Sequence, residues 1–248
     1  KIILFSLKKL FIMKKINTKL TKLIKYYNLI NYKLILSQKS IKRYKEINPH
    51  VQKQKKIELE KLKKKLSEIK NCDLKNNASN LVFSDGNPSA KIMIIGEGPG
   101  ANEDKEGLPF VGRAGQLLDK MLNAINLSRE SVYITNVVNF RPPENRKPTE
   151  EEIKRYLPFL KKHIKLISPK IVLLLGSTAM NAILKNNEVI SKIRGKWFEQ
   201  EIDNFKFKVI VSFHPAYLLR QPEQKKFSWI DLKMIKQKAK ELKIKVEK

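Results

Sequence analysis

The sequence predicts an α/β protein, a three-layer α/β/α sandwich with a central four-stranded parallel sheet, plus a basic helical N-terminal extension. Three observations carry that reading. Four apolar runs of strand length, Ile92 to Ile95, Val132 to Val137, Ile171 to Leu175 and Val209 to Phe213, are continuous rather than alternating, as strands covered on both faces require. Each run ends in Gly, Asn or His and is followed by a stretch of helical spacing. The first 70 residues differ sharply: they hold 21 basic and 4 acidic side chains, one Pro and no Gly.

The extension comes first in the chain. Residues 1–67 read as two or three basic helices, with Leu59, Leu62, Leu66 and Ile69 at helical spacing, and residues 68–248 as the main domain. A charge run alone has little specificity. Its plain reading is a solvated lysine surface, and the alternative is a nucleic-acid-binding arm. The start KIILFSLKKLFIMKK carries basic residues inside its apolar stretch and no small-residue cleavage site follows, so it is a poor signal peptide, and Met13 is a candidate start. Lysines interrupt every hydrophobic stretch before the roughly 18 residues that span a bilayer, so no membrane segment is expected.

At 248 residues and 42% hydrophobic content, the chain can bury one good core and a small appendage. A net charge of +28 makes a polyanion the default partner. The single cysteine, Cys72, excludes an internal disulfide framework and points to a reducing, cytoplasmic setting.

The strand ends carry the distinctive residues, and in a parallel sheet ligands bind beyond the carboxyl ends of the strands. After the first strand comes Gly96-Glu97-Gly98-Pro99-Gly100, where glycines allow close backbone approach and free N–H groups can hold an anion or a carbonyl oxygen. The G-x-G-x-x-G dinucleotide spacing is absent. Phe110 lies in a Pro-Phe-Val-Gly loop before the next helix, placed either to stack on a flat ring or to close the loop as a core residue. Asn136 ends the second strand; its amide can pair with the imide edge of a pyrimidine or simply cap a turn. Gly176-Ser177-Thr178 ends the third strand and opens a helix, suited to a phosphate or to plain capping. His214 follows the fourth strand, before Pro215, and the apolar Tyr217, Leu218 and Leu219 beside Arg220 read either as a wedge entering a duplex or as the start of an amphipathic helix. Trp197 and Trp229 read as core.

Taken together, GEGPGANEDKEGLPFVGRAGQLLDKML, YITNVVNFRPPENRKPTEEEI, PKIVLLLGSTA and FHPAYLLRQP resemble the family 4 uracil-DNA glycosylases of the uracil-DNA glycosylase superfamily. The match runs from about residue 68 to 233 and leaves residues 1–65 untouched. The resemblance makes residues 68–248 a catalytic domain of the uracil-DNA glycosylase-like fold, excising uracil from DNA for base excision repair. It implies that a flipped uracil stacks on Phe110, that Asn136 reads its edge, that Gly98 approaches it and that His214 lies against its O2. Glu97 and Glu103 match acidic positions, either of which can orient the attacking water. Gly176, Ser177, Arg113, Arg141, Pro215, Leu218, Leu219 and Arg220 fall where DNA would pass.

One departure stands out. Relatives commonly bind a [4Fe-4S] cluster through four cysteines. Only Cys72 remains; by register Ile69, Phe140 and Tyr156 take the other three positions. No cofactor and no metal are therefore expected. RPPENRKPT carries neither the inserted basic loop nor the His of a branch that links covalently to DNA, so ordinary hydrolysis is expected. The expected partner is uracil-containing DNA, single- or double-stranded, met by a monomer. The competing readings are a relative with shifted base specificity and a catalytically idle DNA-binding protein.

Overall fold

The computed structural model describes residues 49–244. The helices expected within residues 1–48, and Met13, lie outside them.

Six strands form one sheet: β1 (Asp85–Gly86), β2 (Ile92–Gly96), β3 (Tyr133–Asn136), β4 (Ile171–Leu175), β5 (Trp197–Ile202) and β6 (Phe205–Ser212), in the order β1-β3-β2-β4-β6-β5. The inner four, β3-β2-β4-β6, are parallel, as the continuous apolar runs predict. The two edge strands are antiparallel additions. Neither announces itself as a buried run, since β1 has two residues and β5, WFEQEI, carries three polar residues in a row, Glu199 to Glu201.

Side-chain alternation splits the sheet between two cores. Met93, Ile95, Val172, Leu174, Val209 and Val211 face one side, packed by α1 (Pro49–Ser67), α5 (Glu150–Ile167) and α6 (Ser177–Leu184). Ile92, Ile94, Ile134, Ile171, Leu173 and Ile210 face the other, packed by α4 (Arg113–Ala124), α8 (Pro215–Arg220) and α9 (Lys225–Glu241). Short helices α2 (Asp73–Asn77), α3 (Ala101–Glu106) and α7 (Ile190–Ile193) complete the connections. Each parallel strand is covered on both faces, so period-2 exposure disappears from its sequence.

Helix α1 belongs to this compact unit. Leu59, Leu62 and Leu66 are buried in the same core as Tyr156, Leu160 and Ile164 of α5. The last third of the expected extension thus forms part of the outer layer, because its helical leucine stripe meets an apolar face of α5.

Two expectations are corrected. Trp229 is 43% exposed rather than core: it stands on the outer face of α9 with Lys233 Nζ 5.9 Å from its ring, while Leu232 and Ile235 take the inner face. Leu218 is 1% exposed and buried in the same core as Phe213 and Leu232, rather than presented on the surface. Tyr217 also packs inward, its ring 5.1 Å from that of Phe213. Of the proposed apolar wedge, Leu219 remains partly accessible, with Arg220 exposed next to it.

Candidate active site

The parallel strands end on one rim of the sheet. From β2 the chain crosses to β3 on one side, then passes back over to β4 on the other, so the crevice opens at the topological switch point. A cavity of about 180 Å³ lies there, lined by Glu97, Gly98, Phe110, Asn136 and His214 among others. Its size suits a single flat ring.

Gly96 and Asn136 are register partners on adjacent strands. A Cβ on Gly96 would come within 2.5 Å of both Asn136 Oδ1 and Phe110 Cζ, so only glycine lets the amide and the ring close over the strand end. Asn136 is 3% exposed, and its Oδ1 is buried without a hydrogen-bond partner among the described residues. A buried, orphaned carbonyl is costly unless something else supplies the donor.

Phe110 sits with φ +55°, in the left-handed region, which costs a non-glycine residue about 1–2 kcal/mol. Its ring lies over the His214 imidazole, centroids 5.6 Å apart. His214 is the N-cap of α8, and its Nδ1 accepts from the Ala216 backbone N–H at 3.2 Å. A ring nitrogen that accepts carries no proton, so the hydrogen of the neutral imidazole belongs to Nε2. Burial, reinforced by the Arg220 charge and opposed by Glu103, pushes the His214 pKa down to about 4. The imidazole is therefore neutral at pH 7.

Gly176 makes room for this histidine. Its φ is +93°, its N–H donates to Ser212 O at 3.0 Å, and a Cβ there would meet His214 Cβ at 3.3 Å. The strand-end glycine thus serves His214 directly. Ser177 follows it at the start of α6 and is partly accessible.

The two acidic candidates separate. Glu103 is engaged by the backbone: Gly100 N–H donates to Oε2 at 3.1 Å, and Val111 and Gly112 N–H donate to Oε1 at 3.0 and 2.8 Å. Glu97 accepts one hydrogen bond, from Thr178 Oγ1 to Oε2, and its Oε1 has no partner among the described residues.

Not every residue chosen from the sequence reaches the cavity. Arg113 is exposed at the first turn of α4, Arg141 donates from Nε to Asn145 Oδ1 at 2.9 Å, and Pro215 is buried at the first turn of α8. None of the three lines the cavity, and neither do Gly176, Ser177, Leu219 and Arg220. Sequence reasoning missed its far wall, built by Pro142, Asn145, Arg146 and Pro148. The signal was present in the proline-rich RPPENRKPT, whose Glu144 and Asn145 both adopt positive φ in a tight turn.

The positions where the resemblance implies cluster ligands lie in the first core. Cys72 is buried with its Sγ 3.1 Å from Tyr156 Oη, Phe140 and Tyr156 are buried in the same core, and Ile69 packs against it. One thiol, a phenol and two hydrocarbon side chains do not fit an iron-sulfur cluster, which needs thiolates at all or nearly all ligand positions. Among the described residues no group of three or more His, Cys, Asp or Glu side chains is placed to hold a metal, and no described helix is long and apolar enough to cross a membrane.

The switch-point pocket of this α/β sandwich thus brings together an aromatic ring, an orphaned amide and a neutral histidine. The Uracil DNA glycosylase superfamily matches residues 83–235. The chain is 42% identical over 186 residues to the type-4 uracil-DNA glycosylase of Sulfurisphaera tokodaii, covering 73% of this chain and 84% of that one. It is 45% identical over 153 residues to the type-4 uracil-DNA glycosylase of Thermotoga maritima, covering 60% and 77%, and 43% identical over 171 residues to that of Saccharolobus solfataricus, covering 67% and 79%. The chain belongs to the uracil-DNA glycosylase superfamily, in its type-4 branch.

Proposed function

We propose that this protein removes uracil from DNA by hydrolysing its N-glycosidic bond, leaving an abasic site for base excision repair. The observation that carries the reading is Asn136 Oδ1, buried and unpaired at the wall of a ring-sized cavity. Uracil N3–H supplies the missing donor and uracil O4 accepts from Asn136 Nδ2. Cytosine presents the opposite pattern at N3 and N4 and leaves both groups unpaired.

The base flips out of the stack, lies against Phe110 and is approached by the Gly98 backbone. As the bond to C1′ breaks, its electron pair moves onto uracil, building negative charge at N1 and O2. Neutral His214 donates from Nε2 to O2 and holds that charge. Positive charge builds on the deoxyribose, where DNA phosphates favour it. Glu97, through Oε1, orients the water that adds to C1′ and accepts its proton, and the uracil anion finally takes up a proton to leave as neutral uracil. Glu103, already bound to three backbone N–H groups, shapes the loop instead of holding that water.

The cluster positions work here without iron: the Cys72–Tyr156 contact and the core around it replace the metal's packing role. Arg113, Arg141, Leu219 and Arg220 serve the DNA strand, with Gly176 and Ser177 at the start of α6 and Pro215 fixing the turn into α8. Residues 68–248 form the catalytic domain, α1 buttresses it, and the Lys-rich residues before it add charge for the polyanion. The protein acts as a monomer on single- or double-stranded DNA, and its one buried thiol suits the cytoplasm.

The test uses single- and double-stranded oligonucleotides bearing one uracil, scored for alkali-labile abasic sites. Product from both substrates, with Asn136→Ala inactive but still binding DNA, is expected. No product from either would overturn the reading.

A further inference from the structure

Arg129 lies outside the pocket, in the single turn Arg129–Ser131 just before β3, yet its guanidinium reaches the loop that carries Phe110. Nη1 donates to Pro109 O at 3.1 Å, and Nη2 donates to Phe110 O. The remaining donors are turned to acids: Nη1 also reaches Asp85 Oδ2 at 2.6 Å, and Nε reaches Asp119 Oδ1 at 2.8 Å. From the other side Glu103 accepts the Val111 N–H. The single peptide unit joining Phe110 to Val111 is thus gripped at both ends, its oxygen by Arg129 and its N–H by Glu103.

That peptide needs gripping. Phe110 holds a left-handed φ that its side chain disfavours, and residues in such conformations persist only where surroundings over-determine them. The same carbonyl lies close over Gly115, where a Cβ would stand 1.7 Å from it, so only glycine fits beneath it at that position. Released from Arg129, Phe110 relaxes toward negative φ, and its ring leaves Gly96 and the His214 imidazole.

We infer that Arg129 is a positioning residue for base excision: it holds Phe110 as the platform on which the uracil stacks, with Glu103 as the opposite jaw. The inference rests on the uracil-excision reading. A lysine cannot replace it, because one ammonium cannot reach two carbonyls and two carboxylates from four directions. An arginine that only linked β1 to α4 through Asp85 and Asp119 would affect stability alone.

A double-mutant cycle separates these roles. Single-turnover excision of uracil from a single-stranded oligonucleotide is measured for the wild type, Arg129→Met, Phe110→Ala and the double variant, at a temperature where circular dichroism shows each folded. Arg129→Met is expected to slow excision about a hundredfold in the wild-type background and less than about threefold once Phe110 is gone. Equal losses in both backgrounds overturn the inference. Should Arg129→Met fail to fold, Arg129→Lys, which keeps the charge toward both acids, is carried through the same cycle with the same criterion. A wild type that releases no uracil sinks the functional reading, and this inference with it; an active wild type with additive losses sinks this inference alone.

Discussion

The imidazole of His214 lies over the ring of Phe110, with planes 29° apart, although 104 positions separate them in sequence. The contact excludes water from one face of the histidine and helps hold its pKa near 4. If neutral His214 donates to O2, excision loses rate as this group gains its proton. The acid limb of single-turnover excision is therefore expected near pH 4. A limb at 6.5, the value of a solvated histidine, would refute the assignment.

His163 adds a second buried neutral imidazole. It stacks on Phe83, lies 2.6 Å from Tyr133 Oη, and burial pushes its pKa down to about 3. Unfolded histidines take a proton near 6.5, so between pH 6 and 5 the unfolded chain binds up to two more protons than the fold. Stability from both groups is complete above pH 6.5 and is lost as pH falls toward 4, by about 2 kcal/mol per unit. Denaturant midpoints should drop accordingly, and His163→Gln should roughly halve the slope.

Gly96→Ala is expected to abolish excision while leaving a folded protein. The added methyl would press on Phe110 Cζ and Asn136 Oδ1, and the loop can shift to relieve it. Circular dichroism and the oligonucleotide assay check both halves; an active variant would mean that the ring and amide do not form the uracil site.

Adjacent leucines should behave in opposite ways. Leu218→Ala, buried on the second core, is expected to cost about 2–5 kcal/mol of stability with little effect on DNA affinity. Leu219→Ala should leave the melting temperature near that of the wild type and slow excision from duplex DNA more than from single strands, because only the duplex must be opened.

Cys72→Ala removes the contact with Tyr156 and is expected to cost about 1 kcal/mol without loss of activity. Protein purified without oxygen should carry no iron and no visible charge-transfer band. Stoichiometric iron, lost together with activity in this variant, would reverse the reading of that region.

Much of this was legible in the sequence for a physical reason. Strands buried on both faces write themselves as unbroken apolar runs, and their ends must bear the glycines, amide and histidine that meet at the rim. Gly96, Phe110, Asn136 and His214 were accordingly found from pattern. The misses arose where a one-dimensional pattern does not fix a direction. Leu218 and Leu219 are equivalent as letters, and only the rotation of a six-residue helix decides which one turns inward. Trp229 looked like core by its size, whereas α9 buries Leu232 and Ile235 instead. Arg129 was illegible because its four acceptors come from residues up to 44 positions away, two of them backbone carbonyls that no residue type announces.

The sheet's two edge strands bear on how such a basic molecule behaves at high concentration. One edge, β1, is two residues long and gives a neighbour almost nothing to pair with. At the other, Glu199 and Glu201 of β5 face Lys208 and Lys206 of β6, so both charge signs are interleaved along the hairpin that closes that side. Short and charged edges deter the strand-to-strand addition that leads to aggregation. Among the described residues both flanks of the sheet thus discourage pairing, while the pocket opens at the carboxyl rim between them.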